Sequence, residues 1–249
     1  MIVIIMAGGL GKRMESDLPK VLHKVVCPTD TNKSLPMIIH IINTSIQLGV
    51  SKIFVIVGKY KNIIKKTIDE YICIDDLIEY VIQEPALGTG HAIKCTIPSI
   101  LNYSNEKALI LSGDVPLISL STLKGLEADT NKLLITELEN PFGCGRIIFD
   151  NKIVGIREEK DCDENEKNIK FVNCGIYQIN VIDLINLIPQ INNNNKSNEY
   201  YLTDIVGLMI QHSIPIETFI LEKNRQYEIK NVNTKKDLDE LNFYIKNNF

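Results

Sequence analysis

An apolar run, Ile2-Val3-Ile4-Ile5-Met6, breaks into a glycine-rich basic stretch, Ala7-Gly8-Gly9-Leu10-Gly11-Lys12-Arg13-Met14, followed by Leu18-Pro19-Lys20. Glycines let the backbone approach a ligand closely, and exposed N–H groups can then cradle phosphate oxygens. Arg13 and Lys20 add fixed positive charge. The stretch is not a P-loop: no glycine stands five positions before Gly11-Lys12, and Arg13 occupies the Ser/Thr place. It is not a dinucleotide fingerprint either, because Met14 stands where the third glycine belongs. Taken alone, it could equally be a strand-to-helix turn with solvated charges.

Further candidates lie downstream. In Gln83-Glu84-Pro85-Ala86-Leu87-Gly88-Thr89-Gly90-His91, Gln83 can donate and accept at once, as reading a nucleobase edge requires. Gly88 and Gly90 permit close approach and Thr89 offers a hydroxyl; the plain alternative is a helix start capped by Thr89. His91 is given no catalytic role. Leu109-Ile110-Leu111-Ser112-Gly113-Asp114 ends an apolar strand in one carboxylate at a sheet edge, where open α/β sheets bind ligands. A carboxylate there suits Mg²⁺, which takes few protein oxygens; a turn or capping aspartate is the alternative. Phe142-Gly143-Cys144-Gly145-Arg146 reads by itself as a glycine turn, although its N–H groups could face a ligand. Glu158, Asn173 and Gly175 lie on or beside predicted strands; a buried Glu–Asn pair suits hydroxyl and amide recognition, and ordinary exposed polar side chains are the alternative. No Ser/His/Asp order, no cysteine with a nearby histidine and no HExxH is visible, which points to direct phosphoryl-type transfer driven by positioning and charge.

The elements that would position these groups alternate. Strands are predicted at 2–6, 52–57, 78–82 and 107–112, with helices at 36–48, 60–71, after Gly90 and at 119–127. This βαβα order implies a mainly parallel sheet covered on both faces. Strands at 133–137, 146–149, 153–157 and 171–179 have shorter connections, and 161–170 reads as an exposed charged loop. Helices at 181–188 and 202–211, a strand at 215–221 and a helix at 235–246 follow. The chain reads as one domain over its 249 residues: a nucleotide-binding part to about 130 and an inserted, more antiparallel substrate part from about 131. A net charge of −4 does not indicate nucleic-acid binding. No apolar stretch is long enough to span a bilayer and no signal peptide is visible. The six cysteines are scattered without a CxxC pair, which argues for reduced thiols in the cytoplasm.

Together MAGGLGKRMESDLPKVLHKV, QEPALGTGHAI, LSGDVPLIS, FGCGRIIFDNKIVGIREEKD, VNCGIY and NNNNKSNEYYLTDIV resemble, in order, the uridylyltransferase domain of bacterial bifunctional N-acetylglucosamine-1-phosphate uridylyltransferases. The resemblance implies a Rossmann-like three-layer α/β/α nucleotidyltransferase fold with a mixed, mainly parallel sheet. It implies a Mg²⁺-dependent reaction of UTP with N-acetylglucosamine-1-phosphate. Ala7, Gly8 and Gly9 would lie under the nucleoside, with Gln83, Gly88 and Thr89 around the uracil. Arg13 and Lys20 would hold the triphosphate as the catalytic pair. Asp114 and Asn233 would bind the metal. Gly145, Glu158 and Asn173 would grip the sugar, with Tyr201 and Thr203 close by. Met6, Gly8, Cys174 and Asn198 depart from the family pattern, and residues 27–34 resemble a short insertion. The chain shows no hexapeptide repeat, so acetylation of glucosamine-1-phosphate and the trimer surface of those repeats are not expected; a homo-oligomer stays open. Two alternatives stay open: another sugar-1-phosphate or nucleotide, such as glucose-1-phosphate or dTTP, and a non-catalytic nucleotide-sugar-binding regulatory subunit.

Overall fold

Alternation along the strands decides what each face buries. In β1 (Ile2–Met6), Ile2 and Ile4 join one apolar cluster while Val3 and Ile5 join the other, as a strand covered on both faces requires. The computed structural model describes residues 1–9, 11–74 and 76–249; Leu10 of the glycine-rich stretch lies outside them. Then come β2 (Lys24–Cys27), β3 (Asp30–Pro36), α1 (Met37–Gln47), β4 (Lys52–Val57), α2 (Lys61–Tyr71), β5 (Ile78–Ile82), α3 (Thr89–Ile100), β6 (Lys107–Ser112) and α4 (Leu120–Leu126). The rest of the chain forms β7 (Asn131–Glu137), β8 (Arg146–Asp150), β9 (Lys152–Arg157), β10 (Phe171–Asn180), α5 (Val181–Leu187), α6 (Asp204–Gln211), β11 (Ile216–Ile220) and α7 (Lys235–Asn248).

The main sheet runs β11-β7-β10-β6-β1-β4-β5. β1 is parallel to β4 and β6, β4 to β5, and β11 to β7. β10 runs against both β6 and β7, and the β8–β9 hairpin hangs on it through Val172 and Arg146. Residues of α3, α5 and α6 cover one face; those of α1, α2 and α4 cover the other. The expected three-layer α/β/α fold with a mixed, mainly parallel sheet is the fold the chain adopts. No helix among the described residues is long and apolar enough to cross a membrane.

Residues 27–34, expected as a bare insertion, belong to the β2–β3 hairpin, a separate two-stranded sheet. Its pattern was hidden because β3 lies largely at the surface and reads as polar. Val25 and Val26 pack against Leu241 and Ile245 of α7, and Val26 N–H donates to Asn242 Oδ1 at 2.9 Å. The start of α7 is fixed by a capping box: Thr234 accepts from Asp237 N–H, and the Asp237 carboxylate accepts from Thr234 N–H at 2.8 Å. Asp237 also accepts from Asn233 N–H at 2.9 Å, so the cap holds the residue just before the helix. Thr234→Ala is expected to cost about 1 kcal/mol of stability, read as a lower urea midpoint at unchanged slope.

Candidate active site

The carboxyl ends of neighbouring parallel strands deliver their loops to one edge: Ala7–Gly9 after β1, Gln83 after β5, and Gly113-Asp114 after β6. Gly113 N–H donates to Met6 O at 2.9 Å. A Cβ on Gly113 would stand 2.9 Å from both Met6 O and Val21 Cγ1, so only glycine lets β6 turn this tightly against β1. Because β10 is antiparallel to β6, its beginning, with Asn173, comes to this same edge.

Lys20 is the centre of the arrangement. Its Nζ donates to Asp114 Oδ2 at 2.5 Å and to Asn233 Oδ1 at 3.0 Å. Ser112 Oγ donates to the other Asp114 oxygen at 2.6 Å. Asp114 is only 7% exposed, so its charge depends on these partners. Gly11, at φ +59°, would place a Cβ 2.9 Å from Lys20 Cβ; the glycine lets Lys20 close onto the loop. Arg13 is exposed and lines the cavity beside Asn233 and Asp237. Burial pushes the Asp237 carboxyl up, but hydrogen bonds from Asn233 and Thr234, with the Arg13 charge, hold it below its ordinary value.

On one side of Lys20 opens a cleft of about 300 Å³ lined by Ala7, Gly8, Gly9, Gln83, Gly88 and Thr89, among others. Gln83 Nε2 donates to Gly88 O at 2.9 Å and lies 3.3 Å from His91 Nδ1. Burial, with Lys94 nearby, lowers the His91 pKa, which favours the neutral ring as an acceptor. The close approach expected at Gly88 is to the chain itself: at φ +112°, a Cβ there would lie 2.5 Å from Tyr200 O. Gly90 N–H donates to Tyr200 O, Tyr200 N–H to Leu87 O, and Leu202 N–H to Thr89 Oγ1 at 3.0 Å. Thr89 therefore makes no side-chain cap on its own helix; it clasps residues 200–202 to the mouth of the cleft.

On the other side is a cavity of about 860 Å³ that includes Arg13, Gly145, Glu158, Asn173 and Asn233 in its wall. Asn173 N–H donates to Gly145 O at 2.9 Å. The Asn173 side chain donates to Tyr177 Oη at 2.6 Å and accepts from Gly175 N–H at 3.0 Å, which leaves it one N–H and one lone pair. Thr203 and Tyr201, expected close to a sugar, do not line this cavity. Thr203 stands behind Glu158, its hydroxyl donating to Glu158 Oε1 at 2.9 Å, so it acts through the carboxylate. The Tyr201 hydroxyl lies near Ser197. Burial raises the Glu158 pKa; the Thr203 bond opposes this, and Asp204, Asp161 and Glu199 add to it.

Two braces escaped sequence reasoning. Arg146, 1% exposed, pairs with Glu159 at 2.6 Å, donates to Cys144 O and holds the turn before Gly145. Glu159 also accepts from Gly143 N–H at 2.9 Å. The adjacent carboxylates thus divide: Glu158 lines the cavity and Glu159 anchors its rim.

The nucleotidyl transferase family profile matches residues 2–227. The chain belongs to that family. It is 46% identical over 246 residues to the "Probable UDP-N-acetylglucosamine pyrophosphorylase" of Acanthamoeba polyphaga mimivirus, covering 95% of this chain and 93% of that one. It is 38% identical to the "Bifunctional protein GlmU" of Legionella pneumophila strain Philadelphia 1, spanning 96% of this chain but about half, 51%, of that one. The inositol-1-phosphate CTP transferase of T. maritima shares the fold, with a TM-score of 0.71 at 16% identity over 99% of this chain and 96% of that one.

Nucleotidyl transferases of this family generally use a divalent metal. The residues here fit one. The Asp114 carboxylate and Asn233 amide oxygen both reach the single Nζ of Lys20, so two hard oxygen donors already converge around a cation. One carboxylate with few other protein oxygens matches the needs of Mg²⁺, which keeps waters and phosphate oxygens. Among the described residues no group of three or more His, Cys, Asp or Glu could hold a metal.

Because burial raises the Glu158 pKa, the folded chain binds that proton more tightly than the unfolded one. Stability from this group is therefore present below the ordinary glutamate value, about 4.3, and lost as pH rises through the raised native value. Glu158→Gln keeps an acceptor for Thr203 and removes the buried charge. It is expected to match wild type in denaturant midpoint near pH 4 and to exceed it near pH 7. An equal or lower midpoint at pH 7 contradicts this.

Proposed function

We propose that this chain transfers the uridylyl group of UTP to N-acetylglucosamine-1-phosphate, yielding UDP-N-acetylglucosamine and pyrophosphate. The observation that carries the reading is Lys20 bonded at once to Asp114 and Asn233, between a cleft built from a phosphate-type glycine loop and a cavity walled by amide and carboxyl groups. The name of its mimivirus relative points to the same reaction.

In this reading residues 1–130 bind the nucleotide and 131–249 the sugar within one domain. Ala7, Gly8 and Gly9 underlie the nucleoside, and Gln83, Gly88 and Thr89 surround the uracil. Gly145 N–H, Glu158 and the spare groups of Asn173 face the acetamido sugar, while Thr203 keeps Glu158 in place. A phosphate oxygen of the sugar attacks the α-phosphorus of UTP as the bond to the β-phosphate oxygen breaks, with no covalent enzyme intermediate. Lys20 and Arg13 offset charge building on pyrophosphate. A Mg²⁺ held by Asp114 and Asn233 would supply charge neutralisation to the reacting phosphates. The free thiols of the six cysteines suit the reducing cytoplasm.

Pyrophosphate release across nucleotides and sugar phosphates, with and without Mg²⁺, tests the reaction. UTP with N-acetylglucosamine-1-phosphate should be the preferred pair. A site hydrogen-bonded to the acetamido group leaves polar groups unpaired with glucose-1-phosphate, at about 1–3 kcal/mol per loss. We expect kcat/KM to favour the acetylated sugar by at least roughly tenfold, and Asn173→Ala to erode that preference while sparing UTP. Equal kcat/KM for the two sugars would promote the glucose-1-phosphate reading.

Asp114→Asn keeps the shape and one acceptor oxygen, which can serve Lys20 while the amide N–H₂ donates to the Ser112 hydroxyl, and removes the charge. It is expected to lower kcat by roughly 10²-fold or more, with circular dichroism unchanged. Near-normal turnover with unaltered Mg²⁺ dependence would move the metal site elsewhere.

A further inference from the structure

A side-chain amide has an oxygen end and a nitrogen end, and a site that reads a base must fix which of them faces the ligand. At Gln83 the neighbours decide. Its backbone N–H donates to Val57 O at 2.8 Å just past β5, and the residue is 7% exposed. Gly88 O can only accept, so the atom 2.9 Å from it must be the donor Nε2. The second Nε2 hydrogen is left for His91 Nδ1, 3.3 Å away. The amide nitrogen is a donor only, so Nδ1 must be the bare nitrogen of the ring and the ring proton sits on His91 Nε2. Both amide hydrogens are then spent, and Oε1 is the end left for a ligand. It faces the glycine loop: a Cβ on Gly8 would stand 3.2 Å from it, and Gly8 and Gln83 line the same cleft.

His91 is itself held in place. It lies in the first turn of α3, where Gly90 N–H donates to Tyr200 O at 2.7 Å. Its ring centroid lies 6.2 Å from that of Tyr200. Burial, with Lys94 adding to it, lowers the His91 pKa, so at neutral pH the ring is uncharged and Nδ1 keeps its lone pair.

On the reading that this cleft takes UTP, we propose that His91 is a positioning residue for base choice: by taking the second Gln83 hydrogen, it holds Oε1 toward position 3 of the pyrimidine. Uracil carries an N–H there and donates to Oε1. Cytosine in the same pose carries a lone pair there and sets acceptor against acceptor. His91 acts only through Gln83. Without it, the Gly88 bond alone holds the amide, which can pivot about that bond and offer its spare N–H to cytosine.

The test measures dissociation constants of the full chain for UTP, dTTP and CTP with Mg²⁺, in wild type, His91→Phe and His91→Asn. Thymine shares the N–H of uracil at position 3. The preference for UTP over CTP is expected to fall roughly tenfold or more in His91→Phe, with the UTP-to-dTTP ratio unchanged. His91→Asn, which can set an amide oxygen near the place of Nδ1, should restore most of the preference. Nitrogen NMR of the wild-type imidazoles near neutral pH reads the tautomer without any substitution, and His91 should carry its proton on Nε2. A proton on Nδ1, or all three nucleotides weakened by one common factor in His91→Phe, overturns the proposal. A wild-type chain that binds CTP as tightly as UTP refutes the uridylyl reading together with it. A wild-type preference for UTP that survives His91→Phe unchanged refutes the positioning role alone. No sugar phosphate enters the measurement, so the result does not depend on the sugar.

Discussion

The site depends on one ammonium group held between a carboxylate and an amide. Lys20 comes from the loop after β1, Asp114 from the end of β6, and Asn233 from the lead-in to α7. Each must be placed by a separate local device. Gly11 lets Lys20 fold back, Gly113 lets β6 turn against Met6, and the Thr234–Asp237 box fixes Asn233. A charge pair this enclosed contributes little net stability, because desolvation offsets attraction. What it contributes is position: three distant segments presented to the same few ångströms.

A second constraint joins the two parts of the chain. The hydrogen bonds between residues 87–90 and 200–202 hold the segment leading to Thr203 against the mouth of the smaller cleft. Thr203 in turn holds Glu158. The nucleotide-side loop and the sugar-side carboxylate therefore share a short hydrogen-bonded path, with Gly88 as the residue whose missing Cβ allows it.

The layers of the fold were legible in the sequence because buried strands such as β1 and β6 are apolar throughout, and helices such as α1 have clear starts and stops. The β2–β3 hairpin was not, since a surface strand such as Asp30–Pro36 carries no apolar alternation. The Ser-Gly-Asp turn and the glycine loop were legible as a candidate site for the same reason: each follows a strand that must be buried. What one-dimensional spacing could not reveal is pairing across the chain. Nothing in the sequence joins Lys20 to Asp114, Arg146 to Glu159, or Thr89 to Leu202, because long-range register decides these contacts. It also could not show that Thr203 stands behind Glu158 rather than in the cavity wall.

The most direct measurement is a crystal structure of the chain with UDP-N-acetylglucosamine and Mg²⁺. The account predicts uracil between Gly8 and Gln83, the acetamido sugar against Gly145, Glu158 and Asn173, and the metal on Asp114 and Asn233, with Lys20 on a phosphate. A nucleotide sugar bound outside these two joined hollows, or a metal on other residues, would contradict it.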